Sequence, residues 1–493
     1  MGKAREIDMQ NVIDTRDDVL ASTIERCRQR GIVIPTIAQQ KDPTTIPESV
    51  AQRLAEVGMW DVDPVNLFRI TWKNEPVERG GLFNDGNWIE FPSALTGVDA
   101  RIVGIVGKYF PTGAHKVGAA FGCLVPRLVT GQFDPTRQKA VWPSTGNYCR
   151  GGAFDCALLA CVAVAILPKE MSRERFEWLR EIGAEVIATP GCESNVKEIY
   201  DKCWEIRRTQ PDSIIFNQFE EFGNPIWHYH VTGTIVEEIF NRISHDGDRL
   251  SAYISATGSA GTIAAGDYLR TRFPRIVVTA NEALQCPTLL ANGFGAHRIE
   301  GIGDKHVPWV HNVRNTDVVC AVDDEQCMSL MRLFNEPVGQ AFLSSRDVST
   351  DVIEQLPLLG ISSICNLVSA IKTAKHFEMN SRDVIFMPLT DAMELYASRM
   401  NELRNERGDF TELQAASDFA RHLEGVGIDH MRELTYPDRK QLHNLKYFTW
   451  VEQQQRTVEE LNALWDPDFW TETFAQAEQW DELIRAFNQQ TGL

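Results

Sequence analysis

Residues 109–122 read Tyr-Phe-Pro-Thr-Gly-Ala-His-Lys-Val-Gly-Ala-Ala-Phe-Gly and place one lysine, Lys116, just after a Pro-Thr-Gly turn. The small apolar residues that follow predict a helix that begins near this lysine. A lysine held on a rigid element and partly shielded from water can become neutral and act as a nucleophile. Taken alone, the motif more often marks a solvated helix lysine, so its interpretation depends on the rest of the chain.

Two further loops carry glycine, and each lies between a predicted strand and a predicted helix. The second of these loops, residues 257–262, follows the strand-like residues 252–256 and precedes a helix at 263–269. Its backbone N–H groups and the positive end of the helix dipole suit a phosphate monoester, and two hydroxyls add donors. A tight turn without a ligand is the alternative. The candidate phosphate residues are Gly258, Ser259, Ala260, Gly261 and Thr262.

The first loop, residues 144–148, follows the strand-like residues 140–143. Its backbone N–H groups are expected to converge on an anion as those of the second loop do. It suits the α-carboxylate of a substrate, and Asn147 can hydrogen-bond a phenolic oxygen of a cofactor. A bare helix N-cap is the alternative. The candidate substrate residues of this loop are Ser144, Thr145, Gly146 and Tyr148. A lysine that can form a Schiff base, followed by two anion loops, predicts a pyridoxal phosphate enzyme. His115 is expected either to contact the cofactor phosphate or to be a structural histidine.

Strand and helix patterns alternate from residue 109 onward, which predicts an α/β fold with parallel sheets flanked by helices. Predicted strands include 140–143, 161–167, 185–188, 214–219 and 252–256. Residues 1–80 are polar and helix-prone. Residues 401–493 carry four of the twelve tryptophans at helical spacing without strand runs. We expect this C-terminal extension to cover the active site or to form an oligomer contact.

Composition limits the classes of partner. The chain has 493 residues, of which 43% are hydrophobic, so it can bury the cores of two or more domains. The formal net charge of −19 disfavours binding to nucleic acid or to an anionic membrane surface. Eleven cysteines occur without a Cys-x-x-Cys pair, which favours a reducing, cytoplasmic location. A small molecule is the expected partner, and no metal is expected.

The order of these motifs resembles the fold-type II pyridoxal phosphate enzymes, specifically the cysteine synthase and cystathionine β-synthase branch. The likeness covers about residues 80–400. The matching segments are 167–175 with 183–186, 217–219 with 224–225 and 228–229, 258–262, 300–303 and 360–363.

The resemblance implies a fold and a set of roles. It implies a two-domain, tryptophan synthase β-like fold with N- and C-terminal helical extensions. The expected boundaries are an N-terminal extension at 1–80, a large cofactor-binding domain at 81–119 and 221–400, a small α/β domain at 120–220, and the C-terminal extension at 401–493. Lys116 would carry the Schiff base and move protons. Gln218 would lie near the substrate carboxylate, and Thr390 would face the pyridine nitrogen of the cofactor. A homodimer is the expected assembly.

Several residues depart from the pattern of this branch. The Thr-Gly-Ala-His-Lys sequence is closer to the tryptophan synthase β subunit, and Ala260 stands where the branch usually has Gly. Asp391 follows Thr390, so either residue could face the pyridine nitrogen. Residues 304–306, Asp-Lys-His, replace small residues, and we expect Lys305 to contact a polar substrate side chain.

The sequence therefore predicts a pyridoxal phosphate-dependent lyase or β-replacement enzyme acting on a β-substituted amino acid through a Schiff base and an aminoacrylate. A neutral partner of the pyridine nitrogen favours this chemistry. Two alternatives stay open: a dehydratase or deaminase of a hydroxy amino acid, and a weakly catalytic partner subunit that binds the cofactor. The leaving group does not follow from the sequence.

Overall fold

The computed structural model describes residues 15–144, 146–191, 195–302 and 305–493. The strands are β1 Trp88–Phe91, β2 Arg101–Val106, β3 Lys139–Pro143, β4 Val162–Pro168, β5 Glu185–Thr189, β6 Ser213–Ile215, β7 Arg249–Ala256, β8 Val277–Ala283, β9 Val318–Val322, β10 Asp383–Leu389 and β11 Met431–Glu433.

The α-helices between residues 17 and 272 are α1 Asp17–Arg30, α2 Ile37–Lys41, α3 Glu48–Leu54, α4 Ser93–Thr96, α5 Lys116–Val129, α6 Asn147–Leu158, α7 Arg173–Glu181, α8 Val196–Thr209, α9 Gly223–Trp227, α10 Gly233–Ile243 and α11 Ala264–Arg272. The later helices are α12 Thr288–Ala291, α13 Asp324–Asn335, α14 Pro337–Ser345, α15 Thr350–Gln355, α16 Ile361–His376, α17 Ala397–Arg407, α18 Glu412–Phe419, α19 Tyr436–Lys446, α20 Val458–Ala463 and α21 Pro467–Thr491.

The strands form two sheets. The larger sheet has seven strands in the order β1-β2-β10-β7-β8-β9-β11, and the smaller has four in the order β5-β4-β3-β6. All pairs in the smaller sheet are parallel, and in the larger sheet only β1 and β11, at the two edges, pair antiparallel. The predicted α/β fold with parallel sheets and flanking helices is confirmed.

Two inner strands of the larger sheet, β9 and β10, are fully buried. Every residue of β9 and β10 is buried, as expected for parallel strands covered by helices on both faces. Successive parallel strands end at one edge of a sheet, where connecting loops can bind ligands. The loops that carry the predicted site residues follow β3, β6, β7 and β10 at such edges.

The predicted strand at 214–219 is shorter than expected and ends at Ile215. Asn217 forms a turn, in which its side chain accepts a hydrogen bond from the backbone N–H of Phe219 at 3.2 Å. A residue whose side chain bonds its own backbone two positions on favours a turn over a strand. This turn directs the following Gln218 toward the edge of the sheet, where it becomes available to the site.

The C-terminal extension packs on the body of the chain. Trp450, Trp470 and Trp480 are buried, and Trp450 Nε1 donates to the carbonyl of Val307 at 2.8 Å. The extension is mainly helical, as predicted, but β11 also adds a short strand to the large sheet. Among the described residues, no helix combines the length and apolar character needed to cross a membrane.

Candidate active site

Lys116 is the first residue of α5 and meets residues from both sheets. Its Nζ lies 2.8 Å from Ser259 Oγ, in the loop after β7, and 3.2 Å from Gln218 Oε1, in the loop after β6. The preceding Pro-Thr-Gly turn is sharp, because Thr112 and Gly113 have φ angles of 71° and 70°. The turn thereby directs the first residue of the helix to the place where the two sheets meet.

The glycine loop between β7 and α11 is closely packed against its neighbours. A Cβ on Gly258 would lie 2.5 Å from the carbonyl oxygen of Gly301, and one on Gly261 would collide with Asn224 Oδ1. Both approaches are closer than van der Waals contact, so these positions require glycine. The backbone can therefore approach a ligand without interference from side chains.

Asn224 and Ala260 complete this loop. Asn224 Nδ2 donates to Ser259 Oγ at 3.0 Å and to the carbonyl of Gln218 at 2.9 Å, which ties the glycine loop to the loop after β6. Ala260 has φ of 58°, in the left-handed region that costs an L-residue about 1–2 kcal/mol. The usual glycine of the branch would adopt this conformation without that cost.

The loop after β3 and the start of α6 form a second wall. Ser144 Oγ accepts hydrogen bonds from the backbone N–H of Gly146 at 3.1 Å and from Gln218 Nε2 at 3.3 Å. Tyr148 is buried, and its ring packs against Trp142 with 5.3 Å between centroids. Thr145 lies outside the described residues.

Thr390 and Asp391 follow β10 and face different surroundings. Thr390 lines the small cavity beside Lys116. Asp391 Oδ2 instead accepts hydrogen bonds from Asn147 Nδ2 at 2.6 Å and from the Tyr396 hydroxyl at 2.7 Å. Burial raises the pKa of Asp391 above its ordinary value, although the nearby positive charge of Arg175 acts in the opposite direction.

A buried ion pair supports the loop after β3 from behind. Arg175 Nη1 lies 3.1 Å from Glu300 Oε2, and both side chains are buried. A Cβ on Gly146 would collide with the same Nη1, so the guanidinium rests against this loop. Arg399 Nε also contacts Glu300, at 2.6 Å. The pair therefore holds a loop of the small sheet against residues of the large sheet.

Two predicted site residues lie elsewhere. His115 is buried behind Thr390, where its Nε2 lies 3.3 Å from Thr390 Oγ1, and it does not line the cavity. Lys305 is also absent from the cavity wall, and its Nζ lies 5.5 Å from the ring centroid of Phe294, which is 72% exposed. The position of His115 agrees with the alternative expectation of a structural histidine, and the substrate contact of Lys305 stays a prediction. Side-chain direction, which sequence spacing does not reveal, determines both positions.

The cavity beside Lys116 brings together most of the predicted residues. Its walls are Lys116, Ser144, Asn147, Tyr148, Gln218, Phe219, Gly258, Ser259, Gly301, Ile302 and Thr390. Phe219, Gly301 and Ile302 belong to matching motifs, but the sequence did not predict them as site residues. Their place in the wall follows from close backbone approach, which a glycine such as Gly301, with φ of 98°, makes possible.

The residues that line the cavity suit a cofactor that carries an aldehyde, a phosphate and a phenolic oxygen. Lys116 supplies the amine, and the glycine loop supplies closely approaching backbone for the phosphate. The Oδ1 atom of Asn147 is buried and has no hydrogen-bond partner among the described residues. A buried polar atom without a partner is costly, so a ligand that bonds the Asn147 amide suits this position.

Comparison with known proteins agrees with this geometry. The family model "Pyridoxal-phosphate dependent enzyme" matches residues 108–340. The chain is 29% identical over 289 residues to a probable cysteine synthase of Bacillus subtilis, covering 58% of this chain and 85% of the relative. It is 24% identical over 319 residues to cystathionine beta-synthase of Saccharomyces cerevisiae, covering 63% of this chain and 59% of the relative.

A solved structure shares the fold. The O-acetylserine-dependent cystathionine beta-synthase of Helicobacter pylori has a TM-score of 0.53 and 23% identity, covering 63% of this chain and 94% of that one. The fold and the matches together define a pyridoxal phosphate-dependent enzyme of fold type II. Within that class the chain is similar to the cysteine synthases and to cystathionine β-synthase. The predicted fold, cofactor and reaction class are confirmed.

Proposed function

We propose that Lys116 binds pyridoxal phosphate as a Schiff base and that the surrounding loops hold the cofactor and an amino-acid substrate. One observation carries the proposal: Lys116 Nζ is within hydrogen-bond distance of Ser259 and Gln218, from two different loops. When bound, the cofactor supplies an electron sink for negative charge that develops at the substrate Cα. Lys116 would take the Cα proton of the substrate and could return it.

The two anion loops have separate roles in this proposal. The backbone N–H groups of Gly258–Thr262 bind the phosphate, with the hydroxyls of Ser259 and Thr262 as further donors. Ser144–Tyr148 binds the substrate α-carboxylate at the start of α6, and Gln218 orients the hydroxyl of Ser144 through their 3.3 Å contact. The two negative groups of the bound molecules are thus held at opposite walls of the cavity.

Asn147 and Thr390 would hold the ring of the cofactor. We propose that Asn147 bonds the ring hydroxyl oxygen and that Thr390, rather than Asp391, faces the ring nitrogen. This choice is supported by the engagement of Asp391 with Asn147 and Tyr396, whereas Thr390 lines the cavity. A neutral hydroxyl does not protonate the nitrogen, which moderates the electron sink and favours loss of a β-substituent.

The substrate is proposed to be an amino acid with a leaving group on Cβ. Solved relatives include an O-acetylserine-dependent cystathionine beta-synthase and an O-ureido-L-serine synthase, so O-substituted serines are the first compounds to test. The experiment mixes the purified, cofactor-loaded protein with O-acetyl-L-serine, O-ureido-L-serine or L-serine. It follows the cofactor absorbance, ammonia and keto acid, with and without sulfide as nucleophile.

The outcomes separate the candidate functions. A new thiol product with sulfide, and little ammonia, supports β-replacement. Ammonia and keto acid released from a β-substituted amino acid support the lyase, while release from L-serine alone supports a dehydratase or deaminase. Cofactor binding without turnover of any compound supports a weakly catalytic partner subunit and contradicts the proposed activity.

We further propose the domain division expected from the sequence, with a small domain at 120–220 and a large one at 81–119 and 221–400. It is supported by the two separate sheets, of which the four-stranded one lies entirely within 139–215. A homodimer in the cytoplasm, acting on a small amino acid without nucleic acid or membrane, completes the proposal. Sedimentation analysis tests the dimer, which a monomeric mass across the working concentration range would contradict.

A further inference from the structure

A large cavity lies between the catalytic body and the C-terminal extension. Its volume is about 790 Å³, within the range of pockets that hold small molecules. One side is formed by α5, α8 and the loop after β6, and the other by residues from 454 to 480. The described residues that line it all differ from those that line the cavity beside Lys116. The family model ends at residue 340, so one side of this extension cavity lies outside the matched region.

The charged groups in the wall of the extension cavity balance one another. Both oxygens of Glu221 accept from Arg127 Nη2, at 2.8 and 3.0 Å. Arg456 lies 3.2 Å from Glu220 and 3.2 Å from Glu460. A carboxylate has about four acceptor sites and a guanidinium has five N–H donors, so such ion pairs can bind a further charged group. The three guanidiniums and three carboxylates of the wall are those of Arg127, Arg207, Arg456, Glu220, Glu221 and Glu460.

Aromatic rings form much of the remaining wall. The rings of Phe222 and Phe469 lie 5.5 Å apart between centroids, and the guanidinium of Arg456 lies 5.5 Å from the ring centroid of Trp309. Trp480 is buried, and its Nε1 has no hydrogen-bond partner among the described residues. An indole N–H can only donate, so a ligand carboxylate nearby would offer the acceptor that it lacks. The aromatic residues of the wall are Trp204, Phe222, Trp309, Phe469 and Trp480.

This combination of groups selects among ligand classes. A phosphate ester is disfavoured because carboxylates already balance the guanidiniums, and a wholly apolar molecule would desolvate charged groups without compensation. We propose that the extension cavity binds a free α-amino acid with a large apolar side chain. Its ammonium joins the carboxylates, its carboxylate joins the guanidiniums, and its side chain packs against the aromatic rings.

The loop after β6 separates this cavity from the active site. Gln218 and Phe219 line the cavity beside Lys116, whereas residues 220–223 line the extension cavity. The loop is packed against α5, because a Cβ on Gly122 would lie only 2.4 Å from the carbonyl oxygen of Gly223. A ligand that contacts residues 220–223 therefore stabilises the loop and the position of Gln218. Its effect on catalysis rests on the proposed function, whereas its binding does not.

The first experiment measures binding to cofactor-free protein by titration calorimetry. The probes are L-phenylalanine, L-tryptophan and L-methionine, together with phenethylamine and 3-phenylpropionate, which each lack one charged group of phenylalanine. We expect at least one of the amino acids to bind, and both analogues to bind about tenfold or more weakly than phenylalanine. Binding of none of the amino acids, or equal binding of phenylalanine and its analogues, would overturn the proposal.

Two variants of α21 locate the bound amino acid. Gln476 lines the extension cavity, so Gln476→Trp should fill it and weaken amino-acid binding about tenfold or more. Gln479→Trp is the matched control, because Gln479 lies on the same helix, is also half-buried and is not among the lining residues. Equal affinity in the two variants would place the amino acid elsewhere, such as at Ser144–Tyr148, and contradict the assignment.

Arg456→Gln tests the recognition of the ligand carboxylate without filling the cavity. We expect weaker binding of phenylalanine but no loss of phenethylamine binding, since phenethylamine has no carboxylate. An equal loss for both compounds would show a structural role of Arg456 only and contradict its contact with the ligand.

The last experiment tests the effect on the loop after β6. With phenylalanine or the tightest-binding probe, hydrogen exchange in residues 217–223 of cofactor-free protein should become slower. In the loaded enzyme the same compound should lower the KM of the amino-acid substrate about fivefold or more, and this effect should vanish in Gln476→Trp. Binding without slower exchange would contradict the effect on the loop. Calorimetry and exchange need no turnover, so this inference and the proposed function can fail separately.

Discussion

Thr390 and Asp391 are neighbours in the sequence, yet Thr390 has neutral surroundings and Asp391 has charged ones. Thr390 lies between the cavity and the neutral imidazole of His115, whose pKa is lowered to about 3 by burial. Asp391 faces Asn147 and Tyr396, with the charged Arg175 nearby. We call these the neutral side and the charged side of the β10 end.

This difference indicates that the groups around each residue determine which of the two faces the cavity. Thr390 and Asp391 follow the end of β10, and Thr390 lines the cavity while Asp391 is buried against Asn147 and Tyr396. The carboxylate is directed to the side with a buried cation, and the hydroxyl to the side without a second acid. A nitrogen in the cavity therefore meets a neutral group, although an aspartate is one residue away.

Thr390→Asp has the largest expected effect, because it places a carboxylate on the neutral side of the β10 end. We expect kcat to fall by about a hundredfold or more, since a misplaced charge disrupts preorganised electrostatics. Absorbance of the bound cofactor should shift at the same time. Thr390→Ser keeps the hydroxyl and should retain kcat within about threefold. Retention of more than about a tenth of the activity by Thr390→Asp would show that neutrality at this position is unimportant.

Asp391→Asn tests the charged side of the β10 end through the pH dependence of the free energy of unfolding. Burial raises the pKa of Asp391 in the folded state, so the folded state retains a proton that the unfolded state releases. The stability that Asp391 contributes is present below its ordinary pKa of 3.8 and is lost as the pH rises through the raised value. Urea unfolding should therefore show the wild type losing its advantage over Asp391→Asn as the pH rises. The loss should be about 1.4 kcal/mol for each pH unit that separates the folded and unfolded pKa values.

Asp383, at the other end of β10, provides a control of opposite sign. Burial alone would raise the pKa of Asp383, but hydrogen bonds from Ser251, the Asn380 backbone and Arg249 outweigh burial and lower it. Its contribution to stability is present above pH 3.8 and is lost as the pH falls through the lowered value. The same pH slope for Asp383→Asn and Asp391→Asn would contradict the distinction between them.

Ala260→Gly gives the smallest expected effect and should leave both sides of the β10 end unchanged. Relief of the left-handed conformation should stabilise the protein by about 1 kcal/mol. Ala264→Gly, at the start of α11, should instead destabilise it by about 0.5–1 kcal/mol. Thermal or urea unfolding measures both variants. A lower stability of Ala260→Gly would mean that the loop does not bear this strain.

The sequence predicted the features that depend on local pattern. Apolar runs such as β10 and glycine turns such as Gly258–Thr262 are encoded by neighbouring residues, so both sheets and the cavity loops could be expected. The strand β11 was missed because its three residues, Met-Arg-Glu, are half-buried or exposed at a sheet edge and carry no apolar pattern.

The features that depend on side-chain direction could not be predicted. His115 precedes Lys116 and was expected either at the phosphate or as a structural histidine, and only the structure shows that its ring lies beside Thr390. Lys305 was expected at the substrate, but it lies against Phe294.

The most direct test of the central claim is the identity of the lysine that binds the cofactor. Borohydride reduction of the loaded protein, followed by peptide mass analysis, maps the covalent adduct. We expect the adduct on Lys116, its loss in Lys116→Ala, and its full retention in Lys305→Ala. An adduct on another lysine, or an unchanged adduct in Lys116→Ala, would contradict the assignment of this cavity as the active site.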